Sequence, residues 1–192
     1  LSPPTCQVLI ISDGFPMSPA HRAGYNHQQG KVGMRAGSDV DTMKTDLITG
    51  AEAFAALANE WDRVAGQGMT DTPFQLLAYQ RAWWTHLQPQ GSELLTVTTR
   101  DEAGQLVGIG CFFTSNGHLH FNGCIEETDY LDLIAPTEHA EAAWRATLEC
   151  LGTLDESICT SLELCNIPAA SPSRAILPRL APQFNLSIEE QL

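Results

Sequence analysis

Basic residues are scarce. The chain carries 10 Lys and Arg against 23 Asp and Glu, a formal net charge of −13. That balance excludes unaided binding to nucleic acid or to an anionic membrane surface, because both are polyanions. Long apolar runs are missing too, and nothing approaches the roughly 20 residues that cross a bilayer. The run VLII at Val8–Ile11 gives way at once to Ser-Asp-Gly and follows no charged segment, so it does not read as a signal-peptide core. Six cysteines are present (Cys6, Cys111, Cys124, Cys150, Cys159 and Cys165), but no two form a CxxC pair. They read as reduced thiols packed as small hydrophobes, which implies a cytoplasmic protein. There is no internal repeat.

Apolar residues make up 43% of the 192 positions, enough for the core of one ordinary domain. The acidity is unevenly placed. Over residues 1–42, Arg22, Lys31 and Arg35 balance Asp13, Asp39 and Asp41, so the excess of acid lies after Met43. Residues 1–42 are rich in Gly, Ser, Pro and His and lack sustained periodicity. They read as a disordered leader or a mis-called start, with His21 and His27 solvated rather than paired on a metal.

Patterning begins at Met43. MKTDLIT suits a short strand, and Phe54, Leu57, Ala58, Trp61 and Val64 then recur at helical spacing up to Gly66. Thr72 and Pro73 open a second helix carrying Phe74, Leu77, Ala78, Arg81 and Trp84 along one side. ELLTVTTR alternates as a strand, DEAG makes a hairpin turn, and QLVGIGCFFT is apolar on both faces, as a central strand should be. HLHFNG and YLDLIA read as two more strands. EHAEAAWRATLECLG is a helix ended by Gly152, SLELCNI a buried strand, SPSRAILPRLAP a helix, and NLSIEEQL a last strand. The predicted order is β-α-α-β-β-β-β-α-β-α-β, a mixed α/β sheet flanked by helices.

That order, with two helices ahead of a meander, resembles the GNAT acyltransferase fold. TPFQLLAYQRAWWTHL, LLTVTTRDEAGQLVGIGCFF, the NGC…DYLDL segment and LELCNIPAASPSRAIL, in that order, are similar to the opening half of the CelD-like (cellulose-biosynthesis-type) acetyltransferases. The resemblance covers residues 43–192 and implies the first of two GNAT-like halves. It further implies transfer from acetyl-CoA or another acyl-CoA to a small-molecule amine acceptor. The second half would be supplied in cis or by self-association. GNAT domains hold the CoA pyrophosphate on a Q/R-x-x-G-x-G/A loop at a helix N-terminus, where free backbone N–H groups and the helix dipole attract anions. The matching junction here, LIAPTEHAEAAW, has no glycine, loses a donor at Pro136 and adds a charge at Glu138. No strong CoA binding is expected of this chain by itself. The alternative is a GNAT-like binding or scaffold module without catalysis.

The substrate-side candidates are Asp129, Tyr130, Asp132 and Trp84. Two carboxylates and a phenol inside the apolar run ETDYLDLIA could orient an amine or move its proton. Equally, Asp129 could close a turn after Gly123 and Asp132 could sit on a solvated edge. In a strand Tyr130 and Asp132 would share one face and Asp129 the other. Trp83 and Trp84 point about 100° apart on a helix, so at least one belongs to the core. His118 and His120, with Cys111 and Cys124 near in sequence, fit no strong metal spacing, and no metal is expected there. Ser171 before Pro172 reads as a helix cap, and no GxSxG elbow marks Ser171 or Ser173 as a nucleophile.

Overall fold

The computed structural model describes residues 43–124, 128–155 and 158–191, and additionally 8–12; for Val8–Ser12 and Gln191 it describes the backbone alone. A single sheet of seven strands runs in the order β2-β3-β4-β5-β6-β1-β7. Its members are β1 (Val8–Ser12), β2 (Lys44–Thr49), β3 (Glu93–Arg100), β4 (Leu106–Ser115), β5 (His118–Phe121), β6 (Ser161–Cys165) and β7 (Ser187–Gln191). Neighbours are antiparallel except β5 and β6. That parallel pair is joined by the crossover through α4 (Ala140–Leu151), as a parallel connection requires. The other helices are α1 (Glu52–Ala56), α2 (Trp61–Ala65), α3 (Leu77–Leu87) and α5 (Ser173–Leu180). The mixed α/β layer architecture expected from the sequence is the one observed.

Cross-strand partners share a face of the sheet, which sorts the core into two layers. Leu95, Phe112 and Phe121 are register partners on one face, where Phe112 stacks on Phe121 at 5.4 Å and Phe121 meets Trp144 of α4 at 6.3 Å. Leu94, Phe113, His120 and Glu163 are partners on the other, where Trp83 of α3 covers Phe113 at 5.5 Å. Helix α4 lies so close to the sheet that Gly108 is needed beneath it. A Cβ there would sit 3.0 Å from that of Ala143 and 2.0 Å from Thr99 Oγ1.

Four sequence expectations are corrected. Residues 8–12, assigned to the leader, form a strand between β6 and β7; residues 1–7 and 13–42 lie outside the described residues, and with them His21 and His27. The first helix is two short ones, α1 and α2, which keep Phe54, Leu57, Trp61 and Val64 buried. At the break between them Glu60 receives both Nη1 and Nη2 of Arg100, at 2.9 and 2.8 Å. YLDLIA is not a strand: it is extended chain that meets β4 in one bridge, Ile109 with Ile134. Finally, the cysteines are not all reduced. The parallel pairing sets the chain just beyond β5 beside the end of β6, with Cys124 and Cys165 Cα atoms 6.0 Å apart and their sulfurs bonded. Cysteine usage therefore gives no argument for a reducing compartment. Among the described residues no helix is long and apolar enough to cross a membrane.

Candidate functional site

After β5 the chain leaves the sheet through Asn122 and Gly123, the latter at φ +110°, a conformation glycine adopts without strain. Residues 125–127 lie outside the described residues. The chain returns over Thr128–Ala135, where Asn166 Nδ2 donates to Thr128 O (2.6 Å) and Leu131 N donates to Asn166 O (3.1 Å). This return brings Asp132 into the interior.

Asp132 is only 4% exposed. Burying a carboxylate without partners would cost several kcal/mol, and here four donors converge on it. Oδ2 accepts from Thr70 Oγ1 at 2.9 Å and from Ser171 Oγ. Oδ1 accepts from Ser173 Oγ at 2.6 Å and from Leu133 N at 2.8 Å. Trp144 Nε1 in turn donates to Ser173 Oγ (2.7 Å), and Ser171 Oγ accepts from Ser173 N (3.0 Å), which is the capping role expected of Ser171. The backbone of Asp132 is held as well, its carbonyl receiving Gln75 Nε2 at 2.9 Å. One carboxylate thus ties the segment 70–75, the return chain, α4 and the start of α5. Burial pushes its pKa up, and the three hydroxyls and the Leu133 amide offset part of that rise.

The other candidates stand elsewhere. Asp129 and Tyr130 are exposed at the tip of the return chain, Tyr130 at φ +59° and 47% exposed. Thr72 Oγ1 donates to Tyr130 O at 3.3 Å. Trp84 is buried beside Phe113, at 6.5 Å between rings, next to the equally buried Trp83. The exposed pair, the buried carboxylate and the core tryptophan thus stand in three different surroundings.

A second polar cluster lies on the parallel pair. Register places His118 beside Ser161 and His120 beside Glu163. His118 Nδ1 is 2.7 Å from Ser161 Oγ and 3.4 Å from Glu163 Oε1, while His120 Nδ1 is 3.5 Å from Oε2. His120 stacks on Phe113 at 5.1 Å. Burial holds the His120 pKa below the usual histidine value, Glu163 works against that, and His118 adds to it. A depressed folded-state pKa contributes stability that is present above the unfolded histidine pKa and is lost as pH falls through the folded one. Replacing Glu163 with Gln removes the opposing charge, so His120 should titrate lower still. Imidazole proton shifts followed against pH in the two proteins check this; an upward shift in the variant contradicts it. Among the described residues no group of three or more His, Cys, Asp or Glu is placed to hold a metal ion.

Sequence reasoning did not find Thr70, Ser173 or Gln75 as partners of Asp132, nor Trp144 as the partner of Ser173, nor Glu163 as the partner of the histidines. The nearest signal for the first was the Ser-Pro-Ser cap. For the second it was the pairing of HLHF with SLELC, which becomes visible only once the parallel register is known.

No protein-family model matches the chain, and no curated protein does. Among solved structures it is similar to a conserved protein of unknown function from Enterococcus faecalis V583, a probable N-acyltransferase. The TM-score is 0.50 at 11% identity, over 96% of this chain and 37% of that one. At that identity the likeness is one of fold. The chain shares a fold with part of that protein and spans about 37% of its length.

Proposed function

We propose that the chain is the N-terminal half of a GNAT-family N-acyltransferase. It shapes the side that receives a small amine, and a second GNAT-like half, in cis or in a second copy, holds acyl-CoA and carries out the transfer. The observation that carries this reading is the match of nearly the whole chain to 37% of a probable N-acyltransferase. The junction before α4 agrees with it. Pro136 has no N–H, the His139 amide is already used by Pro136 O at 3.0 Å, and Glu138 places a negative charge in that first turn. A pyrophosphate needs free amides and positive potential at such a place; here one amide is missing at Pro136, one is spent at His139, and Glu138 opposes an anion.

Calorimetric titration of the whole chain with acetyl-CoA tests the division of labour. The expected result is no saturable binding up to roughly millimolar ligand. A dissociation constant on the order of 10 μM or tighter would overturn it and make this chain a CoA-binding transferase by itself.

A further inference from the structure

Beneath the Asp132 network is a cavity of about 10 Å³, lined by Gln75, Gln80, Asn122, Asp132, Cys111 and Phe121 among others. Gln75 and Asn122 are each 1% exposed. Gln75 Nε2 is used by Asp132 O, at 2.9 Å, while its Oε1 meets no donor of the protein. Asn122 Nδ2 donates to Gln80 O (2.9 Å) and Gln80 Oε1 (2.8 Å), and its Oδ1 likewise meets no protein donor.

Turning the amides over cures neither. A flipped Asn122 would set its oxygen against two acceptors of Gln80. Gln80 cannot turn to help, because its Nε2 donates to Phe74 O at 2.8 Å and Asn122 O at 3.0 Å. A flipped Gln75 would face Asp132 O with an oxygen. Two buried acceptors thus border one cavity, and a buried acceptor without a donor is unfavourable.

We propose that this cavity is a built site for a single water molecule, which donates one hydrogen to Gln75 Oε1 and the other to Asn122 Oδ1. The size suits it, since a buried water needs about 10–15 Å³ of such space and makes about three hydrogen bonds. Cys111 also lines the cavity. Thr96 Oγ1 approaches its sulfur at 4.0 Å as a donor, which leaves the S–H free to serve as the water's third partner. Burial pushes this thiol up to about 12, so the hydrogen is present at neutral pH. A cation is the wrong occupant. The site offers two neutral amide oxygens, while the Asp132 oxygens are already taken up by Thr70, Ser171, Ser173 and the Leu133 amide. The water links the segment at Gln75, the turn after β5 and strand β4.

The test is a crystal structure of the full chain together with oxygen-17 relaxation dispersion in solution. The expected map shows one peak about 2.6–3.2 Å from both amide oxygens, and the expected dispersion contains a long-lived internal water that Gln75→Leu removes. A dry cavity overturns the proposal, as does a peak at about 2.3–2.6 Å from several oxygens, which marks a cation. If Gln75→Leu does not fold, the wild-type map decides alone.

Discussion

Replacing Asp132 with Ala is expected to destabilise the fold by about 3 kcal/mol, and replacing it with Asn by about 1 kcal/mol. In Asp132→Ala the Leu133 amide and the hydroxyls of Thr70, Ser171 and Ser173 lose their acceptor together. Hydroxyls can turn toward other partners, whereas the backbone amide cannot, so the loss is smaller than four full desolvation costs. In Asp132→Asn the remaining carbonyl oxygen still serves Ser173 and Leu133, and the new NH₂ can donate to the Thr70 and Ser171 oxygens. The pH dependence separates charge from shape. Burial raises the folded-state pKa of Asp132, so its contribution is fully present below the unfolded carboxylate pKa and is lost as pH rises through the folded one. The advantage of the wild type over Asp132→Asn should therefore shrink between acid and neutral pH. Urea unfolding of the three proteins across that range measures both effects. Equal stability of the Ala and Asn variants would remove the anchoring role assigned to Asp132.

This carboxylate also shows what local sequence can and cannot say. The apolar run around it was singled out in the sequence, but the solvated edge read for Asp132 is not found, since the residue is only 4% exposed. The reason is nonlocal: Thr70, Ser171 and Ser173 are 62, 39 and 41 residues away. No period or spacing near Asp132 encodes them. Strands β3 to β7 were legible because alternation and turn residues are local, as at Asn116 and Gly117, both at positive φ in the β4–β5 turn. Helix α4 was legible from its spacing and the closing Gly152. YLDLIA was misread because an apolar run says that chain is buried, not that it is hydrogen-bonded on both sides. The disulfide was missed because Cys124 and Cys165 meet only through the parallel pairing of β5 with β6. Trp84, by contrast, sits where packing alone explains it.

The strand at Val8–Ser12 was the largest omission, and it carries the second large effect. Its partners are at the other end of the chain, Val8 opposite Cys165 on one side and Gln191 on the other. Among the described residues β7 neighbours β1 and no other strand, so β1 connects β7 to the remaining five. Replacing Ile10 with Pro removes a backbone N–H from an interior strand and sets a ring against the ladder. The expected cost is about 3 kcal/mol or more. The damage should spread outward. With β1 displaced, β7 loses its register partners from Ser187 to Gln191, and the outer edge of β6 is left unpaired. Amide hydrogen exchange reads this directly: Ile188 and the β6 amides facing β1 should lose protection, whereas the β3–β4 ladder, four or more strands away from β7, should keep it under native conditions. Unchanged protection in β6 and β7 would mean that Val8–Ser12 contributes nothing to the sheet, and that the folded unit begins at Met43 as its composition first implied.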